Sequence, residues 1–261
     1  MPAASAGGVL DFFGLRDRRY VHLIGGGGKT TLMFAAAHAL AGEGRRVLTT
    51  TSTRILYPGH ADSAHVVLGT DRASLVERVR SGFATHRHVT AVAPDPAGGR
   101  KVVGLRVAVL DALVDAQVAD HVLVEADGSA GRPLKAHADH EPVVSPRADL
   151  VIAVIGVDCL GVPLDDAHVH RAALLCERLG RPAGALVTAA DVAAIVLRHD
   201  GWLARVAPDC AVIAFINKVT APAARDDARQ IAEALCAADT GRRLARVVAG
   251  DVRTGSFEDA W

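Results

Sequence analysis

Lys29, Thr30 and Thr31 follow four consecutive glycines, Gly25, Gly26, Gly27 and Gly28. Glycine lets a chain turn tightly and lets phosphate oxygens approach backbone amides. An ammonium just after such a loop can meet β- and γ-phosphates, and a neighbouring hydroxyl can hold Mg²⁺. The spacing is shorter than the usual G-x-x-x-x-G-K-[ST]. Counting back from Gly28 puts Leu23 at the first glycine position. The motif is a compact G-x-x-G-K-T from Gly25 to Thr30, which wraps phosphates less completely. The competing account is a flexible glycine turn, and the Lys-Thr pair at a helix start favours phosphate binding.

Two acids carry the next candidate chemistry. Glu125 follows Val122, Leu123 and Val124, the pattern of a Walker B strand whose carboxylate reaches Mg²⁺ or its water. Asp127 shares its parity and is expected to face the same way if the strand continues. Glu125, Asp127 and Lys29 are therefore the candidate catalytic residues, and Thr30, Glu125 and Asp127 the candidate metal ligands. Thr50 and Thr51 lie in a hydroxyl run over residues 49–53, followed by Arg54. Such hydroxyls suit a Mg²⁺ shell or a terminal phosphate, and an arginine suits developing negative charge. The simpler account is that threonine favours strands.

Arg132 and Lys135 are candidates for a phosphate or an acidic substrate, as is Arg171. His137, His140 and Glu141 have the chemistry of a metal site, although a loop with two histidines is more often solvated surface. Asn217 and Lys218 echo the N-K-x-D loop that reads guanine, with Thr220 in place of the aspartate. That substitution weakens any expectation of guanine selectivity.

These residues need elements to position them. Residues 20–24 form an apolar run that predicts a buried strand, and residues 29–41 a helix stopped by glycines. Residues 46–51 predict a second strand, which makes a right-handed parallel βαβ unit. Strands are also expected near 64–68, 89–93, 101–105, 120–125, 148–155, 211–216 and 244–248. Helices are expected near 9–15, 73–80, 105–119, 171–179, 188–199 and 222–238. The run at 148–155 is apolar throughout, so it belongs at the sheet centre. In a parallel sheet, ligands sit beyond the carboxyl ends of the strands. The glycine loop, the hydroxyl run and the acids all fall on that edge. The expected fold is α/β, a P-loop NTPase-like, mostly parallel sheet flanked by helices, as a single domain over 1–261. A small β-containing insertion is expected at about 57–104 and a loose tail at about 251–261.

The 261 residues are half hydrophobic, with 29 basic and 29 acidic side chains and no formal net charge. A neutral balance and 4% aromatic content disfavour nucleic acid as a partner. The four cysteines, Cys159, Cys176, Cys210 and Cys236, are widely spaced and argue against a disulfide framework or a zinc knuckle. Residues 1–8 lack the pattern of a signal peptide, and no apolar run is long enough to span a membrane. A cytoplasmic location is the expectation.

Residues 25–33, 49–55, 124–135, 140–144 and 215–219, in order across residues 14–250, resemble the YqeC-like proteins. Those are described as accessory proteins of selenium-dependent molybdenum hydroxylases. The resemblance implies an NTPase-like protein that helps mature a selenium- and molybdopterin-containing enzyme, with that hydroxylase or its cofactor-maturation proteins as partners. The expected ligands are ATP or GTP with Mg²⁺, gripped by Gly25, Gly26, Gly27, Gly28, Lys29, Thr30 and Thr31, with Thr50, Thr51, Arg54, Arg132, Lys135, Asn217 and Lys218 around them. The leading expectation is Mg²⁺-dependent hydrolysis. The alternatives are a small-molecule kinase whose acceptor sits on Arg132, Lys135 and Arg171, and a non-catalytic, nucleotide-gated cofactor carrier.

Overall fold

The computed structural model describes residues 8–261, so most of the stretch read for a leader lies outside the described residues. A short helix α1 (Val9–Phe12) precedes β1 (Tyr20–Gly25), α2 (Lys29–Gly42) and β2 (Val47–Thr51). Next come β3 (Arg54–Leu56), β4 (Val66–Leu68), α3 (Arg72–Gly82), β5 (His88–Pro94), β6 (Lys101–Val103) and α4 (Val107–Asp115). The second half holds β7 (His121–Glu125), β8 (Leu134–Lys135), β9 (Leu150–Gly156), β10 (Val169–His170), α5 (Ala172–Leu179) and α6 (Ala189–Leu197). The chain ends with β11 (Ala211–Asn217), α7 (Pro222–Ala238), β12 (Arg246–Asp251) and β13 (Ser256–Asp259).

The main sheet runs β13-β12-β11-β9-β1-β7-β2-β5-β6-β3, with β4 also pairing β5. The pairings from β12 through β11, β9, β1, β7 and β2 to β5 are parallel. β9 lies between β1 and β11, with Ile152 opposite both Leu23 and Ile213, and every one of its residues is buried. That is the physical meaning of its unbroken apolar run. Alternating residues send Val21, Leu23, Ile152, Val154 and Phe215 to the face covered by α1 and α2. The opposite face packs on α3 and α4 around Tyr20, Val122 and Val124, and on α6 and α7 around Val151, Ala153 and Ala214. The result is an α/β, mostly parallel sheet flanked by helices. Thr188 caps α6, its Oγ1 accepting from the Asp191 amide at 3.2 Å while the Asp191 carboxylate bonds back to the Thr188 amide.

Two expectations change. Residues 57–104 do not stand apart as an insertion: β4 and β5 extend the main sheet and α3 packs on them. The β-containing addition is narrower, the antiparallel pairing of β3 and β6 with β5. Residues 251–261 are not a loose tail. β13 pairs antiparallel with β12, and Phe257 is buried against Phe13 and Phe215, with ring centroids 5.8 Å from each. One aromatic in a short polar segment supplies the anchor, and Gly255 at φ +68° lets the chain double back.

Candidate functional site

The glycine loop joins the end of β1 to α2 at the carboxyl edge of the sheet. It is packed, not slack. A Cβ on Gly25 (φ +95°) would lie 2.3 Å from a Trp202 ring carbon, and one on Gly27 (φ +79°) would lie 2.4 Å from the Gly156 nitrogen. The four glycines let the loop thread between Trp202 and the end of β9.

Hydrogen bonds then divide the loop in two. The Gly25 amide donates to Asp127 Oδ2 at 2.8 Å, Gly26 to the Val154 carbonyl at 2.9 Å and Gly27 to the Arg132 carbonyl at 3.0 Å. All three glycines are buried, so their amides are not available to phosphate, contrary to expectation. The anion cradle contracts to the start of α2. Leu32 is the first amide to bond back within the helix, to the Gly28 carbonyl at 3.0 Å. The amides of Lys29, Thr30 and Thr31 therefore head the helix dipole, next to that of Gly28.

That helix start opens into a cleft of about 700 Å³ lined by Gly27, Gly28, Lys29, Thr30, Thr31 and Glu125, and by the segment 128–131. The volume suits one or more small ligands. Thr30 Oγ1 donates to Glu125 Oε2 at 2.6 Å. Among the described residues Glu125 is the one carboxylate lining this cleft. Burial pushes its carboxyl above the ordinary range, against the pull of the Lys29 ammonium and the Thr30 hydroxyl. A hydroxyl and a carboxylate held side by side are hard oxygen donors that fit Mg²⁺, which is usually bound by one or two protein oxygens plus substrate phosphates and water. Among the described residues no group of three or more His, Cys, Asp or Glu is placed to hold a metal by itself.

Asp127 has a different place. It is fully buried and does not line the cleft. The chain leaves β7 after Glu125, so Asp127 turns toward β1 instead of the ligand edge. It lies 3.1 Å from Lys29 Nζ and 3.5 Å from Lys135 Nζ, and it accepts from His137 Nε2. Burial acts to raise its carboxyl. The Lys29 ammonium, the His137 hydrogen bond and Lys135 outweigh that and hold it well below the usual range. Lys29, with 3% of its side chain exposed, also donates to the Gly25 carbonyl at 2.5 Å. Asp127 thus positions Lys29 and the loop from behind, and is neither a metal ligand nor a group that touches phosphate.

The remaining candidates separate in the same way. Lys135 is buried, 2.8 Å from Glu141 and bonded to the Gly128 carbonyl at 2.6 Å, and Arg171 pairs with the same Glu141. Neither reaches the cleft, so the acceptor site expected on Arg132, Lys135 and Arg171 does not form. Arg132 Nε donates to the Asp166 carbonyl at 3.0 Å. His137 is engaged by Asp127 and Glu141 by cations, while exposed His140 lines a separate groove, so the three do not make a metal site. Thr51 Oγ1 is buried and donates to the Glu125 carbonyl at 2.8 Å, and Thr50 Oγ1 is buried without a partner among the described residues. Both support β2 beside β7 and do not line the cleft. Asn217 does not read a base. Its Nδ2 donates to the Gly27 carbonyl at 2.8 Å and its Oδ1 accepts from the Val252 amide at 3.2 Å, tying β11 and the β12–β13 turn to the loop. Arg54 and Lys218 do line the cleft, paired with Asp95 and Asp158 respectively. Sequence reasoning did not single out Lys101, Arg253 or Trp202, which three separate loops and strands bring to the loop; nothing in their local spacing marks them.

The family profile described as "YqeC protein" matches residues 21–173. The chain is 33% identical over 217 residues to the protein recorded as "Uncharacterized protein YqeC" of Escherichia coli (strain K12), covering 80% of each chain. Among solved structures, it is similar to the hydrogenase maturation factor HypB from Archaeoglobus fulgidus, at 13% identity and a TM-score of 0.41, over 95% of this chain and 88% of that one.

Proposed function

The chain belongs to the YqeC family, and we propose that it binds a nucleoside triphosphate, ATP or GTP, with Mg²⁺ in the glycine-loop cleft and hydrolyses it. In keeping with the family resemblance, this activity serves maturation of a selenium-dependent molybdenum hydroxylase in the cytoplasm. Among the described residues no helix is long and apolar enough to cross a membrane. The observation that carries the nucleotide reading is a convergence. The helix start, Lys29 and the Thr30–Glu125 oxygen pair all line one cleft.

Each group has work suited to phosphoryl chemistry, in which positioning and charge stabilisation dominate. The amides of Gly28 to Thr31 and Lys29 hold phosphate oxygens. Thr30 and Glu125 would hold Mg²⁺, which when bound neutralises charge on the outer phosphates. Glu125 lines the cleft and is also placed to orient a water there. Asp127 keeps Lys29 at the floor of the site.

Lys29→Ala tests the reading. By titration calorimetry, affinity for Mg·ATP and Mg·GTP is expected to fall more than about tenfold, because a hydrogen bond to a charged group is worth about 1.5–3 kcal/mol. Unchanged affinity for both nucleotides removes the loop from phosphate binding. Phosphate release by the wild type without any added acceptor supports hydrolysis over transfer.

A further inference from the structure

The cleft is wider than its phosphate cradle. One wall comes from Lys218 after β11 and Arg253 after β12. The opposite wall comes from the β3–β6 ribbon. The glycine loop after β1 lies between them in the sheet order. Glu125 ends β7, on the ribbon's side of β1. A metal held by the Thr30–Glu125 pair would therefore lie on the ribbon's side of β1, and on the nucleotide reading the terminal phosphate would lie with it. The nucleoside would then extend toward Lys218 and Arg253, leaving the ribbon free for another ligand.

The ribbon is built two-sided. Ile55 lies opposite Val102, and both are buried against Val92. Leu56 lies opposite Lys101, and Arg54 shares the face of Leu56 by strand alternation. This second face is exposed and lines the cleft. Leu56 is 64% exposed and Tyr57 beside it 48%, two of the four exposed large hydrophobics among the described residues. Lys101 makes no ion pair among the described residues, and Arg54 has a single acidic partner, Asp95. Two cations next to bare aliphatic surface at the mouth of a cleft match one ligand chemistry.

We propose that the exposed face of the β3–β6 ribbon is a second subsite, in which Arg54, Lys101 and Leu56 hold a small molecule that joins a phosphate or carboxylate group to an apolar body, beside the nucleotide's terminal phosphate. The placement beside a terminal phosphate rests on the nucleotide reading; the ribbon face itself does not.

The test separates the two. The wild-type protein is saturated with Mg²⁺ and a non-hydrolysable ATP analogue and then titrated with phenyl phosphate, followed by amide chemical shifts. One-to-one saturable binding is expected, with inorganic phosphate binding at least about threefold more weakly. Lys101→Ala and Leu56→Ser replace exposed side chains with no ion pair, so the fold tolerates them. Each is expected to weaken phenyl phosphate about three- to fivefold, the scale of an exposed charge contact for Lys101 and of partial burial of one aliphatic side chain for Leu56, while the analogue's affinity stays within about twofold. Absence of saturable phenyl phosphate binding, or equal binding by wild type and both variants, overturns the subsite. If the analogue itself does not bind, the nucleotide reading falls, and the same titration of the nucleotide-free protein decides the ribbon: loss on Lys101→Ala supports it, indifference overturns it.

Discussion

Replacing Asp127 by Asn is expected to damage the fold first and turnover through it. Asp127 is fully buried between two ammonium groups, Lys29 at 3.1 Å and Lys135 at 3.5 Å. Removing one partner of a buried ion pair costs about 3–5 kcal/mol, because the remaining charge is left uncompensated. Here both lysines keep something: Lys135 retains Glu141 at 2.8 Å, and Lys29 retains the Gly25 carbonyl at 2.5 Å. The amide of Asn also keeps an oxygen for the Gly25 N–H. The cost then sits near the lower limit, about 3 kcal/mol. For a domain of this size each kcal/mol moves Tm by roughly 2–4 °C, so a fall of about 6–12 °C is expected at pH 7.

The pH dependence gives an independent check. The Asp127 carboxyl is held below its ordinary 3.8 in the folded protein. A depressed acid contributes stability that is present above the unfolded value and is lost as pH falls through the folded one. The Tm gap between wild type and variant is therefore full at pH 7 and closes below about pH 4. Glu125 has the opposite sign. Its carboxyl is raised above the ordinary 4.5, so its contribution is present below 4.5 and lost as pH rises through the folded value. Glu125→Gln should accordingly leave Tm unchanged or higher at pH 7. Thermal unfolding followed by circular dichroism reads both variants. A fall of less than about 2 °C for Asp127→Asn, or a gap that widens below pH 4, refutes the positioning role.

Three further outcomes follow from the same geometry. Asn217→Ala removes two buried hydrogen bonds from the loop and the β12–β13 turn, at a cost of about 1–3 kcal/mol, and weakens ATP and GTP alike; a change in the ATP-to-GTP affinity ratio on calorimetry would restore base reading to Asn217. His22 is buried with neither ring nitrogen bonded among the described residues, and burial pushes it down to about 3, so the unfolded chain takes up its proton first as pH falls below 6.5. His22→Leu is expected to raise the urea midpoint, more at pH 5 than at pH 7; a lower midpoint at both contradicts this. Nucleotide affinity should fall at least about threefold between 0.05 and 0.5 M NaCl, because Lys218 and Arg253 line the cleft from partly solvated positions where salt would screen their contact with a nucleotide; an affinity indifferent to salt would place the binding energy elsewhere.

The residues that were legible in the sequence are those whose role is set by immediate neighbours. β9 announces itself because burial on both faces demands an apolar residue at every position. α7 begins at Pro222, where a missing N–H costs nothing. Lys29, Thr30 and Glu125 are legible because strand, loop and helix start fix where they point. Asp127 is not, since its direction depends on where the chain leaves β7 and its partners are Gly25, 102 residues away, and His137. The paired strands β8 and β10 are two residues each and carry no period to detect. β13 depends on a single buried aromatic.

The short glycine loop and the surrounding cations belong to one arrangement. A longer loop would surround phosphate with amides; here three of the four glycine amides are bonded to Asp127, Val154 and Arg132. What that removes from the cradle is a set of neutral donors, each worth about 0.5–1.5 kcal/mol net, while a hydrogen bond from a charged side chain is worth about 1.5–3. Among the described residues Lys29, Arg54, Lys101, Lys218 and Arg253 line the cleft with one carboxylate, Glu125, while Lys29, Arg54 and Lys218 are paired outside the lining with Asp127, Asp95 and Asp158. The site thereby exchanges wrapping for charge. Charged side chains on separate strands can be spread over a wider mouth than one loop can enclose, which is the shape needed to hold a nucleotide and a second anion together. The glycines that look like a phosphate cradle serve mainly to bring Trp202, Gly156 and Asp127 close enough to fix Lys29, which on the proposed reading leaves the helix start, Lys218 and Arg253 to meet the nucleotide and the ribbon cations to meet the second anion.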